Sequence, residues 1–226
     1  MSSLPPAAQI ALPLPLLRLV SASLPVGGFA YSRGLEPAVA AGWVGSAQAV
    51  RDWVFGVLRH SYAALDGALF LRMIAALAAG DAAGFRRLDD WASAARESRE
   101  LQEEDRRMAE ALLSLLSALE PDRLPVPCQS YPAAFAQAAH GLHVAPEAAL
   151  AGLMWAVCDA QIAAAIRLGV IGQVEGQRIL SDAPEVIASC VMRARSLDET
   201  EIGNVSIMLA IGSARHEVQH SRLFRS

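Results

Sequence analysis

Apolar and small residues recur every three or four positions along most of the chain. That is the spacing of a helix face, and glycine, proline and capping residues punctuate it. The pattern predicts a short helix over Leu14–Ala22, then a loop bearing glycine and proline around Pro25–Tyr31. A helix runs from there to about Ala41 and stops at Gly42, with Pro37 delaying its start by a turn or kinking it. Ser46 caps the next helix, through Tyr62, and Asp66–Ala79 forms another, closed by Gly80. Asp81 opens a long helix whose face is written by Trp91, Ala95, Ser98, Leu101, Met108, Leu112, Leu115 and Leu119. Asp105 falls on that stripe where a leucine is expected. Pro121, Pro125 and Pro127 end the helix and mark a loop. Ser130 caps a short helix to His140, and Pro146 sits in the first turn of a helix to Leu168 that is apolar nearly all round and so belongs at the centre. Shorter helices follow near Gln173–Leu180 and Pro184–Ser196, then the polar connection LDETEIGN and a last helix over about Val205–His220. No repeat of solenoid length is present. The expectation is one all-α domain over residues 1–226, a helical bundle of about ten helices with a flexible arm at residues 1–13.

Composition agrees. Hydrophobic residues make up 54% of the chain, much of it alanine, while aromatics are 6%, which favours helices over sheet. A net charge of −4, a pI near 5.7 and no run of Lys and Arg argue against nucleic acid as a partner. Cys128, Cys158 and Cys190 are far apart and form no CxxC, which fits reduced thiols in a cytoplasmic protein. The first residues lack a basic region and are broken by prolines, unlike a signal peptide. The most membrane-like stretch, Ala148–Ile166, contains Asp159 and Gln161 and reads as a buried core helix, so no membrane is expected.

Catalytic signatures are missing. There is no GxxxxGK[ST], GxSxG or HExxH, and PVGGF has neither the spacing nor the strand context of a dinucleotide loop. The expectation is a non-enzyme with no tightly bound cofactor. His216 and His220 are four apart and could face one metal from one helix; without cysteine or carboxylate partners they read more simply as surface histidines. His140 and His143 are separated by Gly141, a helix-end signal. In the run ARESRELQEEDRRMA, Arg96–Glu100, Arg99–Glu103 and Glu103–Arg107 are i,i+4 pairs suited to a solvated face. That face leaves Asp105 unexplained: a carboxylate on the apolar stripe needs a partner or a contact to another chain. Asp159 has two readings. It is a structural acid satisfied by an arginine or by backbone N–H groups, or it faces an internal water-filled passage where oxygen donors pass on a hydrated metal ion.

Three segments in this order resemble the UreF family. They are SLPVGGFAYSRGLEPAVAAGWV at residues 23–44, RESRELQEEDRRM at residues 96–108 and SARHEVQHSRLFRS at residues 213–226. The first is similar to the family's Pro-Val-Gly, aromatic turn, Ser-x-Gly-Leu-Glu and Gly-Trp. The second is similar to its Glu-Thr-Arg-Glu-Leu run, and the third to its C-terminal signature. Where the family usually carries Thr-Gln-Tyr, this chain has Val218, Gln219 and His220.

The resemblance implies a cytoplasmic, all-α accessory protein of urease activation that dimerises and binds UreD (also called UreH). With UreD it recruits the GTPase UreG to apo-urease, and nickel is handled by the complex. An alternative implication is a GTPase-activating or gating role through Arg222 or Arg225. The expected partner-binding residues are Phe29 and Tyr31 in the glycine-rich loop, and Arg215, His216, Glu217, Arg222, Leu223, Phe224 and Arg225 in a docking tail over residues 215–226. A lone tail cannot bury Leu223 and Phe224 by itself: it folds back on its own domain or docks on a partner.

Overall fold

Side-chain caps start four of the helices. Ser46 accepts a hydrogen bond from the Ala49 amide, Asp81 from Gly84, Ser98 from Leu101 and Ser130 from Ala133. A computed structural model describes residues 13–121, 125–203 and 206–226. The elements are α1 (Leu14–Leu19), α2 (Leu35–Ala40), α3 (Ala47–Val57), α4 (Gly67–Ala78), α5 (Ala82–Ala94), α6 (Arg99–Leu119), α7 (Tyr131–Gly141), α8 (Pro146–Arg167), α9 (Gln173–Ser196) and α10 (Ile207–His216). No strand occurs among the described residues, so the all-α expectation is met. The arm expected at residues 1–13 lies, apart from Pro13, outside the described residues, as does the expected start of the last helix at Val205.

α8 is central, as its all-round apolar surface requires: it packs on α1, α2, α3, α4, α7 and α9. Tyr131 through Ala139 of α7 are all buried, and Phe135 meets Phe70 of α4 with ring centroids 6.3 Å apart. Two stretches, Ala47–Ala78 and Pro146–Arg167, are long and apolar enough to cross a membrane, but 61% and 56% of their most apolar windows are buried inside the protein.

Four boundaries differ from the sequence reading. The long helix expected from Asp81 breaks at Ala95–Ser98, where Ser98 starts α6 as its cap, so α5 and α6 can take different directions. The face pattern runs through the break because Ala95 and Ser98 are small enough for either role. The expected gap between Tyr62 and Asp66 does not exist: α3 and α4 join through a π-helical stretch, Leu58–Asp66. A Cβ on Gly67 would lie 2.6 Å from the Tyr62 carbonyl oxygen, so the exit from that wide turn requires glycine. The two helices expected around Pro184 are one, α9; the proline ring faces solvent, where a missing backbone hydrogen bond costs less. The last helix stops at His216, short of His220. Pro37 is accommodated in the first turn of α2, where its missing N–H is not needed.

Burial also sets the cysteines apart from chemistry. It pushes the thiols of Cys128 and Cys158 up to about 12 and that of Cys190 up to about 11. Free thiols titrate near about 8.5, so the unfolded chain ionises first as pH rises. Stability is therefore expected to be intact below about pH 8.5 and to fall progressively as pH climbs towards 11–12, read by urea unfolding. All three thiols should react slowly with a disulfide reagent at pH 8 in the native protein and promptly in urea.

Candidate functional site

A chain of buried charges lies beneath the loop that enters α2. Arg33 holds φ at 51°, in the left-handed region, and Gly34 follows at 76°; together they turn the Arg33 side chain inward. Its Nε donates to Glu104 at 2.7 Å, its Nη2 to Asp105 at 2.8 Å and its Nη1 to the Tyr62 hydroxyl. Arg96, in the break between α5 and α6, donates from Nε to the other Asp105 oxygen at 2.7 Å. Its Nη1 and Nη2 grip Asp66 at 3.2 and 2.5 Å. The π stretch brings Tyr62 and Asp66 to this chain together, and the Ser61 hydroxyl bonds Asp66 five residues on, the π register. Burial works against the charge on Arg33, and Glu104, Tyr62 and Asp105 more than reverse it, so its pKa is raised. Arg96 is raised likewise, by Asp105 and Asp66 against burial. Asp105 thus has the partner its place on the stripe demanded, within the chain. The i,i+4 pairs Arg99–Glu103 and Glu103–Arg107 form on the exposed face, but Arg96 points inward and does not pair with Glu100.

Beside it lies a second cluster around His216, at the end of α10. The ring is fully buried; Nδ1 meets Glu100 at 2.6 Å and Nε2 meets Glu36 at 3.3 Å. Glu36 also accepts the amides of Leu223 and Phe224 at 2.7 and 2.9 Å. Glu100 accepts Arg222 at 3.0 Å, and Arg222 donates further to the carbonyls of Gln219 and Glu217. Burial raises the Glu100 carboxyl above the usual carboxylate range, with His216 pulling the other way. Beyond Phe224, the Arg225 amide bonds the Ala30 carbonyl. The Ser226 carbonyl accepts from the Ser32 amide and hydroxyl at 2.8 and 2.5 Å, and the Ser226 hydroxyl bonds Glu104 at 2.6 Å. Arg167 of α8 stacks over the Phe224 ring at 4.5 Å and donates to the Phe29 carbonyl. The two clusters are joined through Glu104, which serves both Arg33 and the tail.

The tail therefore folds back on its own domain, and several expected surface residues are internal. Tyr31, His216 and Phe224 are buried: each has an apolar or charged complement inside the chain. The reading of His216 as a surface histidine is corrected, and so is its pairing with His220, which lies beyond the end of α10 and is exposed. Phe29 (68% exposed), Arg215, Glu217, Arg222, Leu223 (53% exposed) and Arg225 do face outward. The Ala30–Arg225 bond ties the Phe29 loop to the tail, so two exposed apolar side chains and the Arg225 guanidinium share one region. Arg215 instead lies over the Trp43 ring at 4.8 Å.

The weak metal candidates Asp159, His216 and His220 do not come together, and no group of three or more His, Cys, Asp or Glu residues suited to a metal ion occurs among the described residues. Asp159 is half-buried on α8 and lines a cavity of about 160 Å³; burial raises its pKa, and no hydrogen bond or ion pair meets it among the described residues. Sequence reasoning missed Arg33, Glu36, Arg96, Glu100 and Glu104 as the residues that organise this region. For Arg33 and Glu36 the signal was charge within the otherwise small or apolar SRGLEP, whereas Arg96, Glu100 and Glu104 are hidden in a run of charges.

A family model described as UreF matches residues 44–183. The chain is 54% identical over 217 residues to a protein of Brucella anthropi named urease accessory protein UreF 2, covering 94% of this chain and 96% of that one. It is 39% identical over 215 residues to urease accessory protein UreF of Alkalilimnicola ehrlichii, covering 93% and 94%. It is 37% identical over 224 residues to the protein of that name from Marinobacter nauticus, covering 98% and 96%.

Two stability effects are expected. Asp105→Ala leaves Arg33 and Arg96 facing each other without their shared carboxylate, and should cost about 3–5 kcal/mol in urea unfolding. Removing residues 222–226 exposes the Phe224 site and strips two donors from Glu36. It should lower stability by at least about 3 kcal/mol while the far-ultraviolet helix signal at low temperature stays close to that of the intact chain.

Proposed function

The chain belongs to the UreF family of urease accessory proteins, and from that premise we propose that it acts in urease maturation as a non-catalytic scaffold. In this reading the region built by the Phe29 loop and the tail is where a partner docks. The observation that carries it is the pair of exposed apolar side chains, Phe29 and Leu223, beside exposed arginines on a backbone held rigid by Glu36 and His216. Aromatic and arginine residues on a preorganised surface are what interface anchors are made of. The partners proposed are UreD (UreH), the GTPase UreG and the apo-urease subunits, in the cytoplasm, with the chain itself a homodimer. Nickel is cargo of the assembled complex and not a resident cofactor of this chain.

A second reading gives the tail an activating arginine for the UreG nucleotide. Arg222 is committed to Glu100 and two carbonyls, whereas the Arg225 side chain has no partner among the described residues. Arg225 is therefore the candidate for charge stabilisation in trans.

Co-expression with a urease operon that lacks its own copy of this gene tests the main reading. The chain should restore nickel content and urease activity, and failure to do so would sink it. Phe29→Asp combined with Leu223→Asp should leave stability within about 1 kcal/mol, since both side chains are exposed, while restored urease activity falls severalfold or more. Full restoration by this variant would move the docking site elsewhere. Arg225→Ala should leave GTP turnover by UreG unchanged under the scaffold reading and slow it under the activating one. Light scattering should give about twice the 23.9 kDa chain mass.

A further inference from the structure

The cavity beside Asp159 is built like a ligand site. Its walls are largely apolar, with Leu19, Val20, Leu24, Val26, Met108 and Val157 among them. Three tyrosines, Tyr31, Tyr62 and Tyr131, also line it. The Tyr62 hydroxyl is engaged by Arg33, but the hydroxyls of Tyr31 and Tyr131, each residue 6% exposed, have no hydrogen-bond partner among the described residues. No fully enclosed polar side-chain atom lacks a partner among those residues, so these two hydroxyls keep access to open space. Among the described residues the charged lining is Arg33, Glu104 and Asp159. Arg33 and Glu104 bond each other at 2.7 Å, and every nitrogen of Arg33 is already donating. The uncompensated charge in the cavity is thus one carboxylate, Asp159.

We propose that this cavity binds a small organic monocation, an alkylammonium whose charged head meets Asp159 and whose tail lies among the apolar walls. Each feature selects for that class. One free carboxylate matches one positive charge, and tyrosine faces attract ammonium groups. The hydroxyls of Tyr31 and Tyr131 can accept the N–H donors that Asp159 leaves over. An anion would meet no unbalanced positive charge, because Arg33 is already paired with Glu104 and Asp105. A divalent metal ion would need several oxygen or nitrogen ligands, and the cavity offers one unpaired carboxylate in apolar surroundings. A cavity of about 150 Å³ accepts benzene, so about 160 Å³ suits a ligand of about four to six non-hydrogen atoms. The half-buried state of Asp159, with its raised pKa, marks a charge held short of full solvation, which a cation would relieve.

Titrating the full chain with n-butylammonium chloride tests this, with butyrate and n-butanol as charge controls, read by ligand-observed NMR and melting temperature. The ammonium should bind at least about tenfold more tightly than either control. Asp159→Asn should weaken it by at least about tenfold. Ala160→Leu fills the cavity without changing its charge and should abolish binding. Equal binding of butanol and butylammonium, no ammonium binding at millimolar concentration, or binding unaffected by both substitutions would each overturn the proposal. So would nickel(II) binding that is lost in Asp159→Asn while the amine fails to bind. The readout is binding to the isolated chain, so a negative result leaves the role in urease maturation standing, and urease restoration is scored separately.

Discussion

Two guanidinium groups sharing one buried carboxylate are the constraint on which the fold around the site depends. Arg33 and Arg96 reach Asp105 from different parts of the chain, and each brings a second acid, Glu104 or Asp66. Charges out of water are tolerable only when every member is paired, so the arrangement is close to all-or-none. It dictates a left-handed Arg33, a break between α5 and α6 that frees Arg96, and a π turn that delivers Asp66 and Tyr62. These local irregularities are the geometry one charge lattice demands from four stretches of backbone.

The three segments that carry the resemblance to UreF are one place in the molecule. Residues 23–44 contribute Ser32, Arg33 and Glu36; residues 96–108 contribute Arg96, Ser98, Glu100, Glu104 and Asp105; residues 213–226 contribute Ser213, His216 and the tail. They meet through His216 between Glu36 and Glu100, through Ser98 and Ser213 at 2.5 Å, and through Ser226 on Ser32 and Glu104. Close main-chain approach makes this possible. A Cβ on Gly212 would lie 3.0 Å from the Gly34 carbonyl oxygen, and one on Gly34 would lie 3.1 Å from the Ser213 amide nitrogen. Side chains there would separate α2 from α10 and pull His216 off Glu36.

Helix existence was legible because burial repeats with the helical period, and the caps at Ser46, Asp81 and Ser130 announced three starts. Asp105 was legible as a misfit, and the misfit correctly demanded a partner. Which partner was not legible, because Arg33 and Arg96 lie 72 and 9 residues away and nothing local marks them as buried. The break at Ala95–Ser98 was hidden by small residues that satisfy a face pattern without requiring a helix. His216 looked like a surface residue because its complement, two glutamates from α2 and α6, exists only in three dimensions. From its sequence alone the tail can fold on its own domain or dock on a partner. The structure divides it, with Phe224 and Ser226 inward and Leu223 and Arg225 outward.

The bonds between Ser32 and Ser226 close a loop of 194 residues. Contacts at such separation come late in folding, after neighbouring helices have paired, because the entropy of closing the loop must be met before the contact rewards it. The helical body can therefore be complete in time before its tail is seated. During that interval Glu36 lacks the amides of Leu223 and Phe224, Glu100 lacks Arg222, and the groove for Phe224 is open. Seating the tail is then a step in its own right, with a rate that newly made protein must wait for and that a binding partner can either use or pre-empt.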